Sequence, residues 1–117
     1  MQQLTLTDNE ILNIVKPIAE NMENGWNENN YSKFSRDQTS DMKIAIDLTE
    51  FEKQRNENYP KLGNHKLIDL VALHKNPDNL IVIWKMEFAK RKEPGLCIYY
   101  FKENNEKVVV TGAMFHA

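Results

Sequence analysis

The chain has 117 residues, 41% of them hydrophobic and 27% charged, with 15 basic side chains against 17 acidic ones and a single cysteine. That size and balance describe one globular domain, residues 1–117, built around one core. A lone Cys97 excludes an intrachain disulfide and a cysteine-based zinc site, and a formal charge of −2 argues against a duplex nucleic-acid binder, whose surface must offset phosphate charge.

The first residues, "MQQLTLTDNE", lack the basic start and apolar run of a secretory leader, so the expectation is a cytoplasmic protein, although a chain trimmed of its leader would read the same way. No uncharged apolar run approaches the ~20 residues that span a bilayer, so no membrane partner is expected.

Thr7 followed by Glu10 forms a capping-box pattern, and Ile11, Val15, Ile18, Met22 and Trp26 recur at intervals of three and four. They predict one amphipathic helix over about 8–28. Pro17 removes a backbone donor inside it, so a kink or break is expected near 13–17. The stretch "NENNYSKFSRD" turns into a short helix around 30–37 that contacts the core through Tyr31 and Phe34. In "DMKIAID" Met42, Ile44 and Ile46 alternate with polar or small neighbours, which predicts a short strand. A further helix follows, capped by Asp47 or Thr49, carrying Leu48, Phe51, Arg55, Tyr59 and Leu62, and stopped by Gly63.

The second half reads as strand. "NPDN" (76–79), "KEPG" (92–95) and "ENNE" (103–106) separate four β-rich runs at about 64–75, 80–91, 96–103 and 106–116, an antiparallel meander. Even-length loops would set Lys75 opposite Leu80, Arg91 opposite Leu96, and Glu103 opposite Glu106. Alternation then assigns faces. One face carries Leu67, Asp69, Val71 and Leu73; Val82, Trp84, Met86 and Phe88; Cys97, Tyr99 and Phe101; and Val108, Val110, Met114 and His116. This nearly continuous apolar face should pack against the helices. The other face is mixed: Ile68, Leu70, Ala72 and His74; Ile81, Ile83, Lys85 and Glu87; Ile98, Tyr100 and Lys102; Val109, Thr111 and Phe115. A β-bulge in any strand would exchange the faces beyond it.

The order helix, short helix, short strand, helix and four-strand meander resembles the nuclear transport factor 2-like superfamily, which includes ketosteroid isomerase, scytalone dehydratase, polyketide-cyclase-like proteins and small bacterial domains of unknown function. The resemblance covers nearly the whole chain and rests on "MKIAIDLTEFEKQRNENYPKLGNHKLIDL" and the closing "VVVTGAMF". It implies an α+β cone in which N-terminal helices pack in the concave face of a curved antiparallel sheet, a cystatin-like arrangement that leaves a pocket between them. In many members the outer sheet face forms a dimer.

The polar groups assigned to the concave face are Asp69, Tyr99 and His116. An Asp among Val71, Trp84 and Met86 would have its ionisation disfavoured by desolvation, as an acid or base working near neutrality requires. Against this, Asp69 sits near the start of its strand, and His116 is the penultimate residue. A solvent-exposed Asp69 would remove the catalytic reading. The expectation is therefore a non-catalytic domain that binds a small apolar ligand or a protein partner; the alternative is a small isomerase, cyclase or dehydratase using Asp69 with Tyr99 or His116.

The expected pocket residues are Trp26, Tyr31, Tyr59, Asp69, Trp84, Met86, Phe88, Tyr99, Phe101, Met114 and His116, with core filling as the competing role for the aromatic ones. Ile68, Leu70, Ile81, Ile83, Ile98, Tyr100, Val109 and Phe115 form an outer patch large enough to predict a homodimer. His65, His74 and His116 lack metal-site spacing, so neither a metal nor a cofactor is expected.

Overall fold

A computed structural model describes residues 6–117. Thr7 caps the first helix, α1 (Asp8–Asn27), by accepting from the Glu10 amide while the Glu10 carboxylate accepts from the Thr7 amide. The helix continues through Pro17 instead of breaking there; Pro17 is exposed, so the lost hydrogen bond falls on the solvent side. Ile11, Val15, Ala19, Met22 and Trp26 form its buried stripe.

Asn30 caps α2 (Tyr31–Ser35), which packs closely on α1 at Gly25. The segment expected as a strand at 42–46 is instead helical, α3 (Ser40–Ala45). The Thr39 hydroxyl accepts from the Met42 amide, and that cap starts a helix in which Met42 and Ile46, four residues apart, turn inward while Ile44 stays 76% exposed. Alternation over five residues was the wrong period. Asp47 then caps α4 (Leu48–Leu62), and Gly63 ends it at φ 72°, a left-handed conformation that suits glycine.

Strands β1 (His65–Lys75), β2 (Leu80–Phe88), β3 (Gly95–Asn104) and β4 (Lys107–His116) form one curved antiparallel sheet in the order β1-β2-β3-β4, with the helices against one face. The fold is α+β, as expected.

Lys75 pairs with Leu80 as predicted, but the other two hairpins differ. Leu96 lies opposite Lys85, not Arg91, because Ala89 and Lys90 leave the hairpin to donate to the Asn64 and Leu62 carbonyls. Glu103 lies opposite Val108, and Asn105 and Glu106, both at positive φ, make the tight turn. Each displacement is an even number of residues, so neither exchanges faces.

Bulges do. In β4 the register shifts by one between Tyr100 and Phe101, which sets Phe115 opposite Cys97 and Met114 opposite Ile98. Phe115 therefore leaves the predicted outer patch and packs on the core, while Met114, 48% exposed, and His116, also exposed, leave the inner face. In β1 two shifts between Leu67 and Ala72 turn residues 69–71 outward: Asp69, Leu70 and Val71 are all exposed. The remaining inner positions fill the core. Leu80, Val82, Trp84, Met86, Phe88, Cys97, Tyr99, Phe101 and Val110 are essentially inaccessible.

Candidate functional site

Between α1 and the inner sheet face lies a cavity of about 230 Å³, lined by Met22, Glu23, Trp26, Phe34, Ile46, Gln54, His65, Ala113, Met114 and Phe115. Its polar lining comes from Glu23 on α1, Gln54 on α4 and His65 on β1. Ala19, Glu23 and Asn27 succeed one another at intervals of four, so they form one row along the helix beside the apolar stripe.

Asn27 fixes the start of β1: its carbonyl oxygen accepts from the His65 amide at 2.8 Å and its amide donates to the His65 carbonyl at 2.9 Å. Arg55 on α4 donates to the carbonyls of Trp26 and Asn27 at 2.7 and 3.1 Å and so satisfies the end of α1. With its backbone held in this way, His65 directs its ring at the preceding turn of α1, where Nδ1 lies 2.9 Å from Glu23 Oε1. The other carboxylate oxygen of Glu23 accepts from the Tyr99 hydroxyl, which also lies 3.3 Å from the Ala19 carbonyl. Burial, reinforced by the Glu23 charge, raises the Tyr99 hydroxyl well above the ordinary phenol range, so it remains a neutral donor. The same two causes push the neighbouring Cys97 thiol up to about 12. It is a buried small hydrophobe, not a nucleophile.

The His65 ring stacks on Trp26 with centroids 5.3 Å apart and meets Phe88 and Phe115 edge-on at 5.2 and 4.8 Å. Its Nε2 and the indole Nε1 of Trp26 are both buried and have no hydrogen-bond partner among the described residues. Both residues contribute to the cavity lining, but the two nitrogens themselves are closed off, and they stand out because buried polar atoms are nearly always paired.

Of the pocket residues expected from sequence, Trp26 and Met114 line this cavity. Trp84, Met86, Phe88, Tyr99 and Phe101 are core, the competing role given to them above. Tyr31 is half-buried beside it, its hydroxyl donating to the Ile46 carbonyl and its pKa raised by burial and then by Asp47. Tyr59 bonds Asn64 beneath the Arg55 guanidinium. The proposed catalytic trio is not assembled: Tyr99 is enclosed with Glu23, whereas Asp69 and His116 are exposed on β1 and β4.

Glu23 and His65 were not selected from the sequence. Alternation carried back from Leu67 puts His65 on the inner face, and an interval of four from Ala19 to Glu23 to Asn27 aligns the carboxylate, so the signals were present.

Among the described residues there is no cluster of three or more His, Cys, Asp or Glu able to hold a metal, and no helix is long and apolar enough to cross a membrane. No family model and no curated protein match the sequence. Among solved structures the chain is similar to one titled "Structure of Bdellovibrio bacteriovorus Bd1075", with a TM-score of 0.54 and 13% identity over 86% of this chain. The match takes in 38% of that longer chain, and at this identity the likeness concerns the fold alone.

Proposed function

We propose that this chain is a nuclear transport factor 2-like domain that binds a small, mainly apolar molecule in the cavity between α1, β1 and β4, and that it does so without catalysing a reaction. The observation that carries this reading is a concave wall of Met22, Trp26, Phe34 and Phe115 joined by the polar side chains of Glu23, Gln54 and His65. Ligand sites have this composition, an apolar surface with a few polar groups that set orientation. The half-exposed Leu70, Val71 and Met114, with Ile81, Ile83, Ile98 and Tyr100 beside them, support association of two copies through the outer sheet face.

Toluene tests the pocket. Methyl NMR should show the Met22 and Met114 signals shifting in a saturable titration, and Ala113→Leu, which places a larger side chain in the cavity, should abolish the shift while the fold persists. Native mass spectrometry of freshly purified protein should also report any carried-over ligand. If toluene leaves both methyl signals unmoved up to its solubility limit, the cavity is not a ligand site.

A further inference from the structure

We propose that the cavity is one end of a longer site, continued by the groove between α3 and β4, and that its ligand is an elongated uncharged molecule with a compact apolar head in the cavity and an alkyl tail along the groove. The inference rests on the reading of the cavity as a ligand site and adds the shape and chemical class of the ligand.

The groove offers about 290 Å³ between Met42, Ala45 and Ile46 on one side and Tyr100, Thr111 and Gly112 on the other. It meets the cavity at Ile46, Ala113 and Met114, which line both spaces. Along β4 the wall is continuous, since every residue from 111 to 115 lines one space or the other. At about 3.3 Å per residue those positions span about 13 Å, close to the length of a ring bearing a butyl chain.

Backbone pairing stops short of the groove. The Val110 amide donates to the Asp37 carbonyl at 2.7 Å and the Val110 carbonyl accepts from the Thr39 amide at 3.0 Å; among the described residues no backbone bond joins α3 to β4 beyond that point. The junction is open as well. Ile46 and Ala113 are half-buried and Met114 is 48% exposed, whereas a sealed partition would consist of close-packed side chains. Ile46 is held by its carbonyl, which accepts from the Tyr31 hydroxyl at 2.7 Å, while Met114 has the unbranched, flexible side chain that adapts to varied occupants.

Charge restricts the class. The carboxylate residues of the lining are Glu23 in the cavity and Asp41 in the groove, and no Lys or Arg lines either space. A fatty acid would bring a like charge to these walls with no basic side chain to offset it. An alkyl chain needs no polar partner and gains from each methylene removed from water.

The test uses the full chain and follows methionine methyl signals by NMR, because the methionines divide the site: Met22 lines the cavity, Met42 the groove and Met114 both, while Met86 is core. Toluene should move Met22 and Met114. Ethyl-, propyl- and butylbenzene should bind about threefold more tightly with each added methylene, and butylbenzene should move Met42 as well while Met86 stays. The carboxylate 4-phenylbutyrate should bind roughly tenfold more weakly than butylbenzene. Ala45→Phe, which fills the groove and leaves the cavity lining intact, should keep toluene binding and remove most of the advantage of butylbenzene.

Butylbenzene shifts confined to Met22 and Met114, or an Ala45→Phe protein that keeps the whole chain-length gain, would overturn the joined site and leave the pocket standing. Tightest binding by 4-phenylbutyrate would overturn the uncharged class. If no probe moves any methyl signal, the pocket reading falls with it. The methyl shifts of the unaltered protein decide the matter even where the variant does not fold.

Discussion

Gly25 is where α1 and α2 come closest, and replacing it with alanine tests how the cavity wall is built. A Cβ at this position would stand 2.4 Å from the Phe34 amide nitrogen, 2.7 Å from its Cα and 3.0 Å from the Lys33 carbonyl carbon, all of them backbone atoms that no rotamer change can move. Relief requires α2 to back away by roughly 1 Å, since non-bonded heavy atoms settle near 3.5–4.0 Å. That shift would strain the 2.8 Å bond from the Asn30 amide to the Gly25 carbonyl and lift Phe34 from Phe51, now 4.7 Å away between centroids. Overpacking of this kind costs about 1–3 kcal/mol. A clash with backbone belongs in the upper part of that range, about 2–3 kcal/mol, and alanine regains about 1 kcal/mol of helix propensity, so the net loss should be about 1–2 kcal/mol. For a domain of this length that corresponds to a Tm lower by about 4–8 °C, measurable by circular dichroism. Because Phe34 also lines the cavity, toluene binding should weaken in the same variant. A Gly25→Ala protein as stable as its parent, or more so, would show that helix propensity governs this position and would refute the close approach.

Other outcomes follow from the same geometry. With the folded Cys97 thiol near 12 and its free value near 9.0, the unfolded chain sheds this proton first as pH rises, so stability falls above pH 9; by pH 10.5 the loss should be about 2 kcal/mol by urea titration, with Tyr99 adding to it above pH 10. Cys97→Ala should flatten that slope, and an unchanged slope would contradict the assignment. Asn27→Ala removes both side-chain bonds to the His65 backbone and should cost about 1–3 kcal/mol, with Asn27→Asp, which keeps only the acceptor, falling between; two melts superimposable on the parent's would refute the clamp. Light scattering behind size exclusion at micromolar concentration should give twice the 13.7 kDa chain mass, and Ile83→Lys on the outer face should return the monomer. A parent protein that elutes as a monomer would rule out the dimer.

Much of the fold was legible because strong local signals agreed with one another. The capping box at Thr7, the three- and four-residue spacing from Ile11 to Trp26 and the glycine stop at Gly63 each define an element without help from tertiary contacts. The segment at 42–46 failed because five alternating residues fit two periods, and a threonine cap three residues before Met42 decided for the helix. The hairpins show what loop composition leaves undetermined: residues 89 and 90 could have extended β2, but the carbonyls of Leu62 and Asn64 drew them away, a competition between segments far apart in sequence. Face assignment survived those errors and did not survive the bulges. One extra residue in β4, Thr111 between Val110 and Gly112, exchanged Phe115 with Met114, and two irregularities in β1 put Asp69 in solvent.

That pattern explains why the site proved harder to find than the fold. Asp69 and His116 drew attention as polar residues in apolar strands, yet polarity there is equally a sign that the strand has turned outward. Glu23 drew none, because a carboxylate on a helix otherwise rich in polar residues looks like solvent-facing charge. What gives it a role is the distance between elements: Tyr99 rises from β3 and His65 from β1 to meet the same carboxylate from two directions. Neither strand could hold its residue there alone. The clamp by Asn27 ties β1 to the turn after Glu23, and Arg55 ties that turn to α4, so the placing of one imidazole depends on two helices and a strand being in register. Such a device stabilises little in itself, since it buries a carboxylate to orient a ring. Its effect is to fix the His65 ring among Trp26, Phe88 and Phe115 at the inner end of β1.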